Sequence, residues 1–383
     1  MRILYLHGNR LDSESANVVQ VINMCEAFAQ CGVDVTLAIA APQHNSINID
    51  NYLKRFLDSR PSFKIITYKK YTVAKRFNML GVMFACKKII KQNNADICFT
   101  RSPFLLQQAK SLNRSIIFES HSNLLHNKSK ILSRLWEMNL IKSSKSNNML
   151  KFVTISNSLA SFWQSKGVPD KKLTPLHDGF NAGKFSKQKS IDEARNITNL
   201  PLGKKVVLYS GRLHLDREPD QILKLAKIFS DVLFVVLGGP EEQRLKLEQK
   251  SQYLNINNII WKGHVPHSSI PDYLYAADVL LMIWSWNVPH INHFSPLKMF
   301  EYMASGRIIV GQAFPTIHEV LTDGVTAYLA DPDSFENLTT KLSEALAHEY
   351  PLPMAEQARE LAFSQYSWKT RAEKILNGIE KLL

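Results

Sequence analysis

The sequence lacks an apolar run long enough to cross a membrane. No segment approaches the roughly 18 to 20 uncharged apolar residues that a membrane-spanning helix needs. At the N-terminus, MRILYLHGNRLDSE has only six residues between Arg2 and a polar run, which predicts a buried strand and not a signal peptide. We therefore expect a cytoplasmic protein.

The sequence also has few cysteines and no cysteine pattern typical of a metal site. Its four cysteines show neither CxxC spacing nor the Cys/His spacing of zinc ligands. All of them lie in apolar helix or strand patterns, so we expect reduced core residues. They are Cys25, Cys31, Cys86 and Cys98.

Acidic residues are scarce in the first half of the chain. Residues 1–185 contain 26 Lys/Arg and 11 Asp/Glu, whereas the remainder contains 21 and 23. An anionic membrane surface or a phosphate-bearing partner would explain this imbalance, and a merely solvated basic surface explains it equally well. Nucleic acid is not an expected partner, because no helix-turn-helix, RRM or zinc-finger pattern accompanies the charge. The basic residues are interleaved with aromatic and aliphatic ones at Lys54, Arg55, Arg60, Lys64, Lys69, Lys70, Lys75 and Arg76, and at Lys128, Lys130, Arg134, Lys142 and Lys145.

Short apolar β-rich runs alternate with helical patterns along the chain, which predicts parallel sheets covered by helices. The pattern occurs twice, and a length of 383 residues favours two domains. We predict strands at 2–7, 33–39, 63–68, 96–100, 115–119 and 151–155, and then at 204–210, 232–238, 258–263, 278–284, 307–311 and 326–330.

The sequence predicts an N-terminal parallel-sheet domain, a C-terminal parallel-sheet domain and a final helix. Their expected bounds are residues 1–185, 186–365 and 366–383, with a polar linker near 183–203. Two doubly wound domains in series predict a cleft at the carboxyl ends of their strands, where such sheets bind ligands.

A predicted strand end near residue 210 has features of a phosphate-binding loop. In SGRLHLDREPDQIL, Gly211 allows close approach of the backbone, and Arg212 and Arg217 suit a diphosphate. Alternatively they are surface arginines, with Arg217 pairing to a neighbouring carboxylate. The VLGGPEE loop after the next predicted strand also has glycines that would allow close approach of the backbone to a ligand, but a pair of glycines alone is a weak indication.

The segment INHFSPLKMFEYMASG predicts a helix with an unusual first turn. Ser295 suits the cap and Pro296 the first helical position. Lys298 opposes the positive end of the helix dipole unless an anion binds there. The alternative is a surface ion pair between Lys298 and Glu301, three residues later, worth a few tenths of a kcal/mol.

Taken in order, these segments resemble the GT-B fold retaining glycosyltransferases of family 4. The resembling motifs include SESANVVQVINMCEAFAQCGVDVTL, FTRSP, FESHS, VTISNSLASFWQSKGVP, HDGFNAGKF, GRLHLDR, VLGGPEE, WKGHVPHSSIPDYLYAADVLLM and SPLKMFEYMASGRIIV. The resemblance covers essentially the whole chain. It implies two Rossmann-like domains that face each other across a cleft. The N-terminal one would be an acceptor-binding domain, the C-terminal one a nucleotide-sugar-binding domain, and the final helix would pack back on the first domain.

The resemblance also implies roles for individual residues. Arg212 and Arg217 would hold the donor diphosphate, Glu301 the ribose hydroxyls, and His121 the transferred sugar; these are the expected catalytic residues. The expected donor-binding residues are Gly211, Gly238, Gly239, Val265, His293, Ser295, Pro296, Leu297 and Lys298, with Val265 meeting the base through its backbone. Asn17 and Arg101 are expected at the acceptor side of the cleft.

The sequence departs from the family at one position. The first acid of the family's paired-glutamate motif should lie eight residues before Glu301, where this chain has His293. This indicates a specialised donor site. His121 is alternatively a satisfied histidine at a strand end, and His7 and His177 are interpreted as structural.

The expected function is metal-independent transfer of a sugar from a nucleotide donor to a hydroxyl acceptor. No DxD motif lies in a plausible phosphate loop, so arginine, lysine and the helix start would stabilise the leaving diphosphate. No cofactor is expected, and the acceptor is expected to be a glycan or lipid-linked, at the inner face of a membrane. Two alternatives are an epimerase or hydrolase of nucleotide sugars on the same fold and a non-catalytic binding subunit.

Overall fold

The computed structural model describes residues 1–11, 16–42, 48–57, 60–69, 74–123, 130–348 and 352–383. These residues form two compact units, each of which includes segments distant in sequence. The first consists of Met1–Asp178, His293–Ser295 and Trp368–Leu383, and the second of Gly179–Asn292 and Pro296–Ser367. No helix in these residues is long and apolar enough to cross a membrane.

The first unit is built on a seven-stranded parallel sheet with the strand order β3-β2-β1-β4-β5-β6-β7. Its strands are β1 (Arg2–Arg10), β2 (Asp34–Ala40), β3 (Lys64–Tyr68), β4 (Ile97–Thr100), β5 (Ser115–Ser120), β6 (Met149–Thr154) and β7 (Leu173–Pro175). Its helices are α1 (Ala16–Gln30), α2 (Ile49–Leu53), α3 (Ala74–Gln92), α4 (Pro103–Ser111), α5 (Lys130–Ser144) and α6 (Asn157–Ser165), joined by α15 (Trp368–Leu376).

Apolar residues from α3, α4, α5 and α6 share one core cluster with the strands of this sheet. Each helix contributes buried side chains to this cluster, for example Val82 from α3, Leu105 from α4, Leu140 from α5 and Trp163 from α6. α1 packs against α15. The five central strands are mostly buried because helices cover the sheet, as the near-continuous apolar runs predict, whereas the edge strands β3 and β7 are largely unburied.

The second unit is built on a six-stranded parallel sheet with the order β10-β9-β8-β11-β12-β13. Its strands are β8 (Val206–Ser210), β9 (Leu233–Leu237), β10 (Ile259–Gly263), β11 (Val279–Met282), β12 (Ile308–Gln312) and β13 (Tyr328–Ala330). Its helices are α7 (Ile191–Thr198), α8 (Asp220–Ile228), α9 (Glu241–Tyr253), α10 (Ile270–Ala276), α11 (Leu297–Ser305), α12 (Pro315–His318), α13 (Phe335–Ala347) and α14 (Pro353–Gln365).

The predicted fold class, two doubly wound parallel-sheet domains, is confirmed. All twelve predicted strands are present, and their bounds lie within about two residues of the prediction except that β1 continues three residues further, to Arg10. In both sheets the strand order reverses beside the first strand, between β1 and β4 and between β8 and β11. Ligands of such sheets bind at the carboxyl ends of the strands flanking this point.

The predicted linker near residues 183–203 is wrong in one respect, because it contains the packed helix α7. Ser190 caps this helix by accepting a hydrogen bond from the Glu193 amide, and Ala194 and Thr198 are buried. Arg195 is also buried, and its guanidinium donates to the Ala276 carbonyl at 3.0 Å. In the sequence, a buried arginine whose guanidinium is hydrogen-bonded within the fold cannot be distinguished from an exposed linker arginine.

The cysteine prediction is confirmed for three of the four residues. Cys25, Cys86 and Cys98 are buried and free, whereas Cys31 is free but partly exposed. Burial raises the pKa of the Cys25 thiol well above its ordinary value and that of Cys86 to about 12. These thiols are therefore protonated core side chains at neutral pH.

Candidate functional site

Three strand-end loops of the second unit are bonded to one another through their backbones. The Gly211 amide, after β8, donates to the Leu237 carbonyl at 2.9 Å, and the Leu213 amide donates to the Gly239 carbonyl at 2.8 Å. The Gly238 amide, after β9, donates to the Gly263 carbonyl of β10 at 2.6 Å. The carboxyl ends of β8, β9 and β10 thus form one continuous backbone surface.

Only glycine fits at position 238. Its φ is +117°, and a Cβ placed there would lie 2.0 Å from the Gly211 carbonyl oxygen. Gly211 has φ +149°, and a Cβ there would meet Tyr209 Oη at 3.3 Å and Lys298 Nζ at 3.4 Å. The two glycines therefore allow the loops after β8 and β9 to touch, and they bring the backbone close to Lys298.

Lys298 lies in the first turn of α11 and turns its ammonium group towards aromatic rings. Its Nζ atom is 4.1 Å from the centre of the Tyr209 ring and 4.7 Å from that of Trp284. This atom is buried, and it has no hydrogen-bond partner among the described residues. Burial, and then the charge of Arg217, lower the pKa of Lys298 well below its ordinary value. Cation–π contacts thus offset part of the cost of burying the ammonium, but all of its N–H donors remain available.

The two predicted phosphate-binding arginines differ in environment. Arg212 is exposed, and its carbonyl accepts a hydrogen bond from the Tyr209 hydroxyl at 2.9 Å. Arg217 is partly buried near that phenol; burial raises the pKa of Tyr209 to about 12, and Arg217 opposes the shift. Neither Asp216 nor Glu218 forms an ion pair with Arg217 in the described part of the chain, so the local ion-pair alternative is wrong.

Glu301 lies one turn after Lys298 and does not pair with it. Its side chain is 17% exposed, and its Oε1 lies 3.4 Å from His267 Nε2. Lys184 Nζ lies 3.1 Å from the other ring nitrogen of His267. Burial raises the pKa of Glu301 to about 7, with Lys184 opposing. Burial, followed by Lys184 and His264, lowers the pKa of His267 to about 3, so a neutral imidazole faces the carboxyl.

The predicted start of α11 is wrong in detail. The helix begins at Leu297 with Pro296 as its cap residue, and no side chain caps it. The Ser295 hydroxyl instead accepts the Asp178 amide at 2.9 Å and lies 3.3 Å from His177 Nδ1. Proline brings no N–H, so the helix start loses one donor that would need a partner.

In the first unit, Glu119 at the end of β5 is the centre of a buried polar network. Arg371 of α15 donates to its Oε2 at 2.7 Å, and Gln20 of α1 donates to its Oε1 at 2.7 Å. His121 Nε2 lies 2.5 Å from Oε1. Burial alone would raise the pKa of Glu119, but Arg371 and His121 hold it well below its ordinary value. Glu119 is therefore an ionised carboxylate with no exposed surface.

This network fixes His121 and the two predicted acceptor-side residues. Burial and Arg101 lower the pKa of His121, although Glu119 opposes them. The Glu119 carboxylate can only accept a hydrogen bond from His121 Nε2, so the neutral imidazole carries its proton on Nε2. The other ring nitrogen, Nδ1, is therefore a hydrogen-bond acceptor. Arg101 donates to the Asn17 carbonyl at 3.2 Å and to the Gln20 side chain.

His293 belongs to the first unit. Its ring lies 5.7 Å from the Phe162 ring, and its carbonyl accepts the Ser156 hydroxyl at 3.1 Å. His177 was interpreted as structural, and its carbonyl accepts a hydrogen bond from Arg371 Nε at 2.8 Å. His7 is buried, and its carbonyl accepts the Tyr68 hydroxyl at 2.5 Å.

The structure thus divides the predicted site residues between the two units. The second unit contains Gly211, Arg212, Arg217, Gly238, Gly239, Val265, Pro296, Leu297, Lys298 and Glu301, with Val265 partly buried in the loop after β10. The first unit contains Asn17, Arg101, His121, His293 and Ser295. No sequence motif indicated Tyr209, Trp284 or Arg371, and Glu119 was not predicted as a site residue, although it lies in the FESHS motif two residues before His121.

Two family models match the chain and together span most of its length. Residues 18–184 match the model described as Glycosyltransferase Family 4, and residues 190–364 match the model described as Glycosyl transferases group 1. The chain therefore belongs to the family 4 glycosyltransferases, as its motifs predict.

Curated relatives include two transferases with distinct substrates in their names. The chain is 26% identical to lipopolysaccharide 1,2-N-acetylglucosaminetransferase of Salmonella typhimurium, covering 59% of this chain and 61% of that protein. It is 25% identical to D-inositol 3-phosphate glycosyltransferase of Mycolicibacterium smegmatis, covering 55% and 48%. The matches therefore span about half to three-fifths of these relatives.

Solved structures resemble the whole chain at low sequence identity. Sucrose-phosphate synthase of Thermosynechococcus elongatus has a TM-score of 0.77 and 16% identity, covering 100% of this chain and 98% of that one. HepE of Anabaena, solved with UDP and glucose, has a TM-score of 0.74 and 14% identity, covering 99% of both chains. These likenesses establish the GT-B fold.

Proposed function

We propose that this chain is a retaining glycosyltransferase that moves a hexose-type sugar from a nucleotide-sugar donor to a hydroxyl acceptor. The observation that carries the proposal is the ammonium of Lys298. Its Nζ is buried at the carboxyl end of β8, lacks a hydrogen-bond partner among the described residues, and lies beside Gly211. A buried donor without an acceptor is costly, and the charged non-bridging oxygens of the diphosphate in a bound donor would supply strong acceptors.

The proposed donor site uses positive charge in place of a bound metal. A nucleotide-sugar donor leaves as a nucleoside diphosphate, so negative charge grows on the leaving oxygen and must be stabilised. Arg212, Arg217 and Lys298 would supply this field, together with the amide groups at the start of α11. No protein nucleophile is proposed, since the acceptor would attack on the face from which the diphosphate departs.

The remaining residues have proposed roles in holding the substrates. Glu301 would bond the ribose hydroxyls, and the Val265 backbone would meet the base. His121, whose Nδ1 is an acceptor, would take a hydrogen bond from a hydroxyl of the transferred sugar. His293, Ser295 and Leu297 would contribute to the donor site.

The proposed donor is a UDP-sugar and the proposed process is polysaccharide or glycolipid synthesis. HepE of Anabaena was solved with UDP and with UDP-glucose, and relatives are named for lipopolysaccharide and colanic acid synthesis. We propose a glycan or lipid-linked acceptor for this chain, used at the cytoplasmic face of a membrane.

Thermal shift with UDP-, GDP- and ADP-sugars identifies the donor, because a ligand that binds only the folded protein raises its melting temperature. Release of nucleoside diphosphate is then measured with acceptor for the unmodified chain and for Arg212→Ala. We expect the variant to lose at least about tenfold in rate. A matched control is Lys246→Ala on the surface of α9. Unchanged turnover in Arg212→Ala with the confirmed donor contradicts the proposal.

The same assay distinguishes the rival functions. An epimerase or hydrolase would consume the donor without any acceptor. A non-catalytic subunit would show a thermal shift with nucleoside diphosphate and no turnover. Glycosyl transfer requires that donor consumption depend on the acceptor.

A further inference from the structure

Helix α5 in the first unit exposes a row of large aliphatic side chains. Ile131, Leu135 and Met138 are 75%, 54% and 60% exposed. Their spacing of four and then three residues places them on one face of the helix. The opposite face is buried through Ser133 and Leu140. We call the exposed row the α5 stripe. Its side chains take no part in the packing of the core.

Among the described residues, basic side chains outnumber acidic ones beside the α5 stripe. Arg134, Lys142 and Lys145 are exposed on or just after this helix. Its one acidic residue, Glu137, pairs with Lys166 at 3.0 Å. The surface therefore combines aliphatic side chains with uncompensated positive charge.

Helix α3 adds a second element of the same character. Its inner residues join the core cluster that also receives Leu140 of α5, so both helices cover the same face of the sheet. On its outer side, Phe84 is 73% exposed, and Lys88 and Lys91, four and seven residues later, are exposed as well. Residues 74–145, which include α3, α4 and α5, contain thirteen Lys/Arg and three Asp/Glu.

Helix α9 of the second unit provides an internal comparison. It also exposes large apolar side chains, Leu245 and Tyr253. Its acidic residues, however, pair with its basic ones: Glu242 lies 2.6 Å from Lys246, and Glu248 lies 2.8 Å from Arg244. The absence of such compensation on α5 separates a binding surface from an ordinary solvated helix.

We propose that the outer face of α3 and α5 binds the surface of an anionic lipid bilayer. The aliphatic side chains of the α5 stripe would enter the boundary between headgroups and acyl chains, and the lysines and arginines would meet lipid phosphates. A protein partner would need acidic groups placed opposite each base, whereas a fluid anionic surface satisfies any arrangement of them. This inference goes beyond the proposed transfer reaction, and its test uses no sugar substrate, so that either can fail alone.

The test is flotation of the full chain with vesicles. Phosphatidylcholine vesicles containing about 30% phosphatidylglycerol are compared with pure phosphatidylcholine, at about 0.1 M and about 0.5 M NaCl. We expect flotation with the anionic vesicles at low salt and little with the neutral ones. No flotation, or equal flotation with both vesicle types, overturns the proposal.

Three variants locate the surface. Ile131→Ser/Leu135→Ser/Met138→Ser removes the stripe, and Arg134→Gln/Lys142→Gln/Lys145→Gln removes its charges; each should lower the floated fraction at least about fivefold. The control is Leu245→Ser/Tyr253→Ser on α9, which should float as the unmodified chain does. All altered side chains are exposed, and circular dichroism with thermal unfolding checks the folding of each variant. Flotation of the stripe variant at the unmodified level overturns the assignment to α5, even if the charge variant is lost.

Discussion

Lys298 Nζ lies 4.1 Å from the centre of the Tyr209 ring, so the first turn of α11 directs a buried ammonium onto an aromatic face at the end of β8. Gly211 permits this approach, because a Cβ there would lie 3.4 Å from the same nitrogen. The ammonium is therefore positioned by packing and not by an ion pair. The alternative interpretation, a surface ion pair between Lys298 and Glu301, is wrong for this reason.

Replacing Lys298 by methionine should weaken binding of a nucleoside diphosphate while leaving the folded protein intact. Methionine retains the apolar contacts with Tyr209 and Trp284 but removes the charge. We expect affinity for the diphosphate to fall by about 1.5–3 kcal/mol, the usual value of a hydrogen bond to a charged group. Isothermal titration calorimetry with UDP measures this, and Lys246→Met on α9 is the control. Equal affinity of Lys298→Met and the unmodified chain would show that the ammonium is structural.

The same variant should alter the dependence of stability on pH. The folded-state pKa of Lys298 is well below the unfolded value of about 10.4, so between the two the unfolded chain binds one more proton. Stability of the unmodified protein should therefore rise with pH over this interval relative to Lys298→Met. Urea unfolding of both proteins at pH 7 and pH 9, without ligand, checks the sign. If the stability of the unmodified protein relative to Lys298→Met falls between pH 7 and pH 9, the prediction is contradicted.

Glu301 should make the free protein less stable above neutral pH. Its folded-state pKa of about 7 exceeds the unfolded value of about 4.3, so between these values the folded state holds the extra proton and stability falls as pH rises. Glu301→Gln removes the titration. We expect the variant to be more stable than the unmodified chain at pH 8, by up to about 3 kcal/mol, and the advantage to fade by pH 4.5.

Urea unfolding at several pH values measures this difference, with Glu242→Gln on the surface of α9 as the control. If the ribose role is correct, Glu301→Gln should also bind UDP less tightly, by about tenfold or more. A variant that is no more stable at pH 8 than at pH 4.5, relative to the unmodified chain, contradicts the buried carboxyl.

Gly238→Ala should disrupt the contact between the loops after β8 and β9. The new Cβ would lie 2.0 Å from the Gly211 carbonyl oxygen, and the φ of +117° is itself unfavourable for alanine. We expect a loss of at least about 2 kcal/mol in the free energy of unfolding and a larger loss of donor binding. Gly203→Ala is the matched control, because nothing lies within 4 Å of a Cβ there. Similar unfolding of both variants would contradict the close approach.

The central strands could be predicted because each is a short run of buried apolar residues, whereas β7 was missed because Leu173–Pro175 is a short edge strand with no buried residue. Among the site residues, motif spacing indicated Arg212 and Glu301. It could not indicate the aromatic faces that hold Lys298, because Tyr209 and Trp284 read as core residues of β8 and the segment after β11. Glu119 and Arg371 are 252 residues apart, so their pairing depends on the completed fold.

That pairing gives the last prediction, in which Arg371→Met destabilises the first unit far more than removal of a surface pair. The Glu119 carboxylate would stay fully buried without its guanidinium partner, and the Leu176 and His177 carbonyls would lose their donor. The expected cost is about 3–5 kcal/mol, whereas Arg2→Met, which breaks the exposed pair with Asp96, should cost far less, because solvent screens that pair.

In Arg371→Met, the contribution of Glu119 to the pH dependence of the free energy of unfolding should also change sign. In the unmodified chain the pKa of Glu119 is depressed, so its contribution to stability is present above about pH 4.3 and lost on acidification through the folded-state pKa. In Arg371→Met the largest opposing charge is gone and only His121 and Arg101 oppose burial. We therefore expect the pKa of Glu119 to rise above the unfolded value and acidification to restore stability. Glu119→Gln/Arg371→Met should recover part of the loss at pH 7, because no buried charge remains. Urea unfolding of the unmodified chain, Arg371→Met, the double variant and the Arg2→Met control at pH 4 and pH 7 decides this. A double variant as unstable as Arg371→Met would show that the cost comes from the lost carbonyl contacts.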